Sequence, residues 1–270
     1  MSSWPRHRCT RQAYDPRFPG TQTGALGGGC ALFGLNSALV SRADDTPIGI
    51  TAVAQNYLKT IWTAQEWSCE RVSTKMLADK LGVSAGTASE SIRRLCEQGL
   101  VHHEKYGAVT LTDSGRRAAL AVVRRHRLVE TFLVSELGYS WDEVHDEADI
   151  LEHAVSVQLL ARIDAKLGFP RRDPHGDPIP AEDGHLPVSP ARQLWACLDG
   201  DVVTVSRISD ANPEMLRYFD SLSITLDSQV QVLTRREFAG MVSVSLRAAD
   251  GSSTTVELGS PAARAIWVQD

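Results

Sequence analysis

The feature that most constrains this chain is the stretch from Arg124 to Ala154, RRHRLVETFLVSELGYSWDEVHDEADILEHA. It holds two helical patterns separated by a break at Gly138-Tyr139-Ser140. His126 and Glu130 stand four apart, so they share one face of the first helix. His145, Asp149, Glu152 and His153 stand at i, i+4, i+7 and i+8 of the second. At about 100° per residue these four span an arc of roughly 100°, a single stripe. Six imidazoles and carboxylates therefore project from two adjacent helices whose other faces are apolar. Such a set, with no thiolate in it, suits a divalent ion such as Mn, Fe, Co, Ni or Zn. The competing reading is a solvated acidic face that happens to carry histidines. Either helix alone fits that reading well; the two together fit it poorly.

Charge is distributed unevenly around this stretch. The net value of −5 would argue against nucleic acid if taken alone. Residues 50–137, however, carry 12 Lys and Arg against 9 Asp and Glu, a balance of +3, whereas residues 138–190 carry 4 against 11, a balance of −7. A mildly basic segment that meets phosphates, followed by an acidic one that meets cations, accounts for the division. Five scattered cysteines (Cys9, Cys30, Cys69, Cys96, Cys197) include no CxxC pair, which fits a reducing cytoplasm and excludes a zinc ribbon. The apolar run Ala31 to Val40 is too short to span a bilayer and is broken by Gly34 and Asn36. We reject a signal peptide because the apolar part begins late and is split by glycines.

At 270 residues the chain can hold two or three domains. Residues 1–45, rich in Gly, Pro, Arg and Ser, read as a disordered tail. From Thr51, Val53, Tyr57, Leu58, Ile61 and Trp62 recur at helical spacing to about Trp67. Ser73 caps a helix through Leu81, and Ser84 starts another that Gly99 ends. Two short helices around a tight turn, then strands flanking Tyr106-Gly107, predict a winged helix-turn-helix over residues 46–113. In its recognition helix Ser84, Gly86, Thr87, Ser89 and Glu90 are placed for base edges or phosphates. Arg93, Arg94 and the wing's Lys105 are placed for backbone charge.

Residues 114–168 form the helical segment. A long helix capped at Thr112-Asp113 carries His126 and Glu130, the acidic helix runs from Trp141 to Ala154, and an amphipathic helix spans Ser156 to Leu167 with Val157, Leu160, Ile163 and Leu167. An apolar helix pair of this kind is a natural twofold dimer surface. Residues 169–191 read as a Pro/Asp/Gly linker containing DPHGDPIP. Residues 192–270 turn to β patterns at Val202–Ile208, Val230–Leu233, Met241–Leu246, Thr254–Leu258 and Ile266–Val268, interrupted by one short helix, Pro213–Ser221. The fold class is α+β: a winged helix, a helical metal-binding and dimerisation domain, and a small SH3-like β-barrel.

Residues 50–270 resemble the metal-dependent repressors of the diphtheria-toxin-repressor type, and within it the manganese regulators. The resemblance rests on RRHRLVETFL, VHDEADILEH and DPHGDPIP, with the winged helix and terminal β-domain in the same order. It implies a cytoplasmic homodimer that binds a palindromic double-stranded operator when loaded with metal and represses metal-uptake genes. It implies a primary metal site at Asn56, Asp149, Glu152 and His153 with His126 nearby, and a second from Glu130, Asp173, His175 and Asp210. In an alternative second-site arrangement, that of the iron-responsive branch, His145 joins His126 and Glu130. Asp149 stands where the iron type carries cysteine, and its hard oxygen favours Mn²⁺. Fe²⁺ is the alternative, with Co²⁺, Ni²⁺ or Zn²⁺ as surrogates. Asn56 departs from the pattern, since the manganese type carries aspartate there and the iron type methionine.

Two other classes compete. A metal-dependent hydrolase would use the same cluster, but the chain has no HExxH, nucleophile elbow or phosphate-binding glycine loop. A DNA-binding protein whose metals only stabilise the fold would bind its operator equally with and without chelator.

Overall fold

The structure is a computed structural model that describes residues 50–67, 71–104, 107–187, 190–247 and 251–270. The expected disordered tail and Lys105 lie outside the described residues. The architecture is α+β, with helices through residue 166 followed by a six-stranded sheet.

Helix α1 (Ala52–Glu66) starts where the Thr51 side chain accepts from the Ala54 amide, and it buries Tyr57, Leu58, Ile61 and Trp62. Val53, although in phase with them in sequence, is exposed. Helices α2 (Thr74–Lys80) and α3 (Ala85–Glu97) begin at Ser73 and Ser84, whose hydroxyls accept from the third residue on. Strands β1 (Val101–His103) and β2 (Val109–Leu111) pair antiparallel as the wing. The core of this unit joins α1, α2, α3 and the wing to the first half of α4 (Asp113–Leu137), through Ala118, Ala119, Leu120 and Val123. Gly115 of α4 lies against the wing so closely that a Cβ there would stand 1.9 Å from the Leu100 carbonyl oxygen.

Helix α4 is the central rod, packing on α1, α5 (Val144–Leu151) and α6 (Val157–Lys166). Helix α5 is shorter than the sequence suggests. It begins after a turn at Trp141–Glu143 and ends at Leu151, so Glu152 and His153 lie in the turn beyond its last residue. Helix α6 packs Leu160, Ile163 and Leu167 against Leu128, Phe132 and Ile179. Val157 falls on the other side and is exposed, together with Leu159 and, nearby in sequence, Ile150 and Phe169.

The segment after α6 is a packed strap. Asp173, His175, Asp177 and Ile179 are all buried. The Asp173 carboxylate accepts from the amides of His175 and Asp177, closing a tight turn. Gly176 makes that turn possible, with φ +91° and the Ser206 carbonyl oxygen 2.2 Å from where a Cβ would stand. The backbone of Ile208 then donates to the His175 carbonyl, fastening the strap to the sheet.

The sheet runs β3 (Arg192–Gln193), β8 (Ile266–Gln269), β4 (Val202–Ile208), β5 (Gln229–Arg236), β6 (Met241–Arg247), β7 (Ser253–Gly259), with antiparallel neighbours. Alternate residues of β4, β5 and β6 and residues of β8 enclose its core, with Leu216 and Phe219 of α7 (Pro213–Ser221). The chain is less purely β here than its pattern implies. Helix α8 (Ser260–Arg264) and two 3-10 turns, Leu194–Ala196 and Glu237–Ala239, also interrupt the strands. A register shift between Val205 and Arg207 lets Val205 and Ile208 both enter the core, so Arg207 leaves it beside its cross-strand partner Trp267.

Candidate metal centre

Helix α1 faces the acidic end of α5 with three polar side chains. Lys59 Nζ lies 2.6 Å from Asp149 Oδ1, 2.8 Å from Glu152 Oε2 and 3.4 Å from His126 Nδ1. Asn56 Oδ1 is 2.6 Å from His153 Nε2, and Gln55 Oε1 is 3.1 Å from His153 Nδ1. The four residues of the expected primary site therefore divide into two pairs, Asn56 with His153 and Asp149 with Glu152, the second pair held on Lys59. His126 completes the second pair, with Nδ1 at 2.7 Å from Glu152 Oε2 and 3.1 Å from Asp149 Oδ1.

Two of these contacts were not read from the sequence. Lys59 stands one turn beyond Asn56, so their spacing on α1 was the available signal. Gln55 carries no such mark, being a buried amide whose NH₂ donates to the Ile50 carbonyl. That bond turns its oxygen to His153 and makes Nδ1–H the donor of this contact, so that with Nδ1 protonated it is Nε2 that is offered to Asn56. A lone pair and Oδ1 at 2.6 Å repel each other unless Nε2 carries a proton, the Asn56 amide turns its NH₂ inward or the two share a cation.

The donors at this end fit a dication. Glu152 is fully buried, and its Oε1 has no hydrogen-bond partner among the described residues; His153 Nε2 is 3.4 Å away, outside bonding geometry. An orphaned carboxylate oxygen, an imidazole lone pair and an amide oxygen converge there, a hard oxygen and nitrogen set.

The second group lies on the other side of His126, whose Nε2 is 2.9 Å from Glu130 Oε1 and 3.2 Å from His145 Nδ1. His145 Nδ1 is 3.1 Å from Glu130 Oε1 and 3.6 Å from Asp210 Oδ2, so the β-domain reaches this point. Among the described residues, three trios bring ligand atoms within 4.8 Å of one another: His126, His145 and Asp149; Glu130, His145 and Asp210; and Glu130, Asp173 and His175. Glu130 and His145 each belong to two, so the donors form one continuous chain. His175 Nε2 bonds the Trp141 carbonyl at 2.7 Å, which leaves Nδ1 buried with no hydrogen-bond partner among the described residues.

Protonation follows this arrangement. Burial alone would depress His126, but the carboxylates of Glu130, Asp149 and Glu152 hold it well above the ordinary imidazole value. Burial would likewise raise Glu130 and Asp149. His126 and His145 hold Glu130 well below the carboxylate range, and His126 and Lys59 lower Asp149. Asp173 shows the opposite result, for burial and the neighbouring carboxylates of Asp177 and Glu130 push it up to about 8. A buried acid of this kind takes either a proton or a cation.

The face expected to meet DNA is α3. The Ser84 hydroxyl caps it through the Thr87 amide, and Ser89 bonds back to the Ala85 carbonyl. Gly86, Thr87, Ser89, Arg93 and Arg94 are exposed. Glu90 accepts from Arg93 and Arg94, which hold its carboxyl down at about 2, and Arg93 also pairs with Glu97. Phosphates must therefore compete with Glu90 and Glu97 for these two guanidinium groups.

Comparison with known proteins agrees with this organisation. Residues 49–109 match the iron dependent repressor N-terminal DNA binding domain, 112–181 its metal binding and dimerisation domain, and 193–270 the FeoA domain. The iron-dependent repressor IdeR of Mycobacterium tuberculosis (strain ATCC 25618 / H37Rv) is 33% identical over 178 residues, which cover 57% of this chain and 77% of that protein. The diphtheria toxin repressor of Corynebacterium efficiens is 28% identical over 190 residues, covering 67% and 82%. Among solved structures, a manganese-dependent transcriptional repressor in complex with manganese is 74% identical, covers 80% of this chain and 98% of that one, and superposes with a TM-score of 0.76. The manganese regulator SloR is 32% identical, covering 80% and 97%, with a TM-score of 0.66. The chain belongs to the diphtheria-toxin-repressor family of metal-dependent, DNA-binding transcriptional repressors, a family of regulators and not of enzymes.

Proposed function

We propose that this protein is a Mn²⁺-responsive repressor of metal-uptake genes, acting in the cytoplasm as a homodimer on a palindromic operator. The observation that carries the reading is the hard donor set beside the buried, orphaned Glu152 Oε1, namely His153 Nε2 and Asn56 Oδ1, with Asp149 reaching the other Glu152 oxygen through Lys59 and His126, and with no sulfur. The manganese complex of the 74% identical repressor supports the same choice. The primary site is then Asn56, Asp149, Glu152 and His153 with His126. Glu130, His145, Asp173, His175 and Asp210 supply the second.

When bound, a dication would take over the carboxylates of Asp149 and Glu152 and join α1 to the end of α5 through Asn56. The chain's own residues do the rest. Gln55 keeps His153 Nε2 aimed at Asn56, and α1, packed on α2 and the wing, carries the orientation of the winged helix with it. The exposed apolar side chains of α5 and α6, Ile150, Val157 and Leu159, form the surface where a second copy docks. Fixing α1 fixes the spacing of the two α3 helices across the twofold axis, and so their fit to successive major grooves. In this organisation residues 46–113 bind DNA, 114–168 bind metal and dimerise, 169–191 strap the domains together, and 192–270 supply Asp210.

An Fe²⁺-responsive regulator is the second reading, favoured by the relatives named as iron-dependent. Labelled-operator titration across a metal series with a chelator control tests both. The proposal expects Mn²⁺ to activate at the lowest concentration, with binding that weakens steeply with salt. Equal affinity after exhaustive chelation would overturn the switch.

A further inference from the structure

One feature of the metal centre runs against simple metal capture, because the acidic pair already holds a cation. Lys59 extends from α1, with only 13% of its side chain exposed, and places its ammonium between Asp149 Oδ1 and the fully buried Glu152 carboxylate. His126 Nδ1 faces the same ammonium at 3.4 Å and both carboxylates at 3.1 Å or less. These are the ligand atoms that a dication needs. Asn56, one turn earlier on α1, contributes no charge, so α1 brings a net positive group to this face.

We propose that Lys59 is a tethered competitor of the metal, occupying the Asp149 and Glu152 oxygens until a dication displaces it and thereby setting the metal concentration at which the site fills. The proposal rests on the reading of Asp149 and Glu152 as metal ligands. An ammonium on a packed helix acts at a fixed effective concentration and pays little ordering entropy, so it competes far better than a free monovalent ion. It offers the carboxylates one charge and two charge-assisted hydrogen bonds. A dication offers two charges and direct coordination by His153 as well, and so wins above a threshold. The exchange gives the site two filled states rather than one filled and one self-repelling state. Lys59 ties α1 to α5 in the first, and the metal does so in the second, through Asn56 and His153.

The decisive comparison uses the full-length dimer with Lys59→Met, which keeps the length of the side chain and removes its charge, Lys59→Gln as a second neutral form, Lys59→Arg, which keeps the charge, and Asp149→Asn. Calorimetric Mn²⁺ titration without DNA reads the threshold, and amide hydrogen exchange of chelator-treated protein reads the hold on α1. The neutral variants are expected to bind Mn²⁺ about tenfold tighter or more, a gain of about 1.4 kcal/mol, and Lys59→Arg to stay near the wild type. Residues 52–66 should exchange faster in the metal-free neutral variants and regain protection with Mn²⁺. A purely structural lysine would lower metal affinity when removed, so a gain is diagnostic. If Asp149→Asn loses Mn²⁺ binding while both neutral variants bind no tighter than the wild type, the competitor is disproved and the site assignment stands. If Asp149→Asn binds Mn²⁺ as the wild type does, the site assignment itself fails, and the role of Lys59 fails with it.

Discussion

The β-domain meets the end of α1 at a buried guanidinium, and Arg207→Met tests how much of the assembly depends on it. Arg207 lies between two indoles, 4.5 Å from the Trp67 ring centroid and 4.3 Å from that of Trp267. Its Nε donates to Asp177 Oδ1 at 2.7 Å, and the same oxygen accepts from Trp67 Nε1 at 2.6 Å. Both charged side chains are less than a tenth exposed. Breaking such a pair from one side costs roughly 3–5 kcal/mol, because the remaining charge stays buried. Two desolvated ring contacts add up to about 2 kcal/mol each. Arg127, 3.5 Å from Asp177, offsets part of the loss, and removal of the Arg207 Nη1, which has no hydrogen-bond partner among the described residues, returns about 1–3 kcal/mol. The net expectation is a loss of about 3 kcal/mol, or about 6–12 °C in melting temperature for a unit of this size. The loss falls on the docking seam, since the core of the β-domain does not include Arg207. Scanning calorimetry of the chelator-treated proteins should therefore show one transition for the wild type and two for the variant, with the β-domain melting apart from the helices. A shift below about 2 °C with the transition still single would refute the reasoning.

Three further outcomes follow from the metal centre. Glu152→Ala and His153→Ala should abolish Mn²⁺-dependent operator binding, measured by fluorescence anisotropy, while size-exclusion chromatography still shows a dimer; a normal Mn²⁺ response in either would displace the primary site. Gln55→Leu removes the acceptor of the His153 Nδ1–H and should weaken Mn²⁺ binding by about 10–100-fold, with Mn²⁺ calorimetry as the check and unchanged affinity as the contrary result. Asn56→Asp adds a full negative charge beside His153 and should lower the Mn²⁺ needed for half-saturation of operator binding while widening the gap between chelated and loaded protein. An equal or higher requirement would remove Asn56 from the ligand set.

What the sequence determined alone was local in origin. Helix starts at Ser73, Ser84, Thr112 and Ser156 were legible because a hydroxyl satisfies an amide three residues on, a signal contained within one turn. Strand β4 and helix α7 were also legible, over Val202–Ile208 and Pro213–Ser221. The kinds of donor in the metal centre were legible too, since a stripe of imidazoles and carboxylates follows from helical spacing. The sequence pattern overextended α5 at both ends, because spacing says nothing of where backbone bonds stop; Glu152 and His153 reach the site from a turn instead. Only the tertiary structure decided which donors meet. Lys59 and Asp149 are 90 residues apart, as the α1–α4–α5 packing alone brings them together. The same holds for the strap, whose Pro/Asp/Gly composition reads as a linker although its turn is buried against β4. It holds again for Arg207, whose alternation with Val203 and Val205 points it into the barrel until a one-residue register shift sends Ile208 there in its place. Local signals encode elements because their energies are satisfied within a few residues. A site built from five segments depends on long-range packing, and no single segment records it.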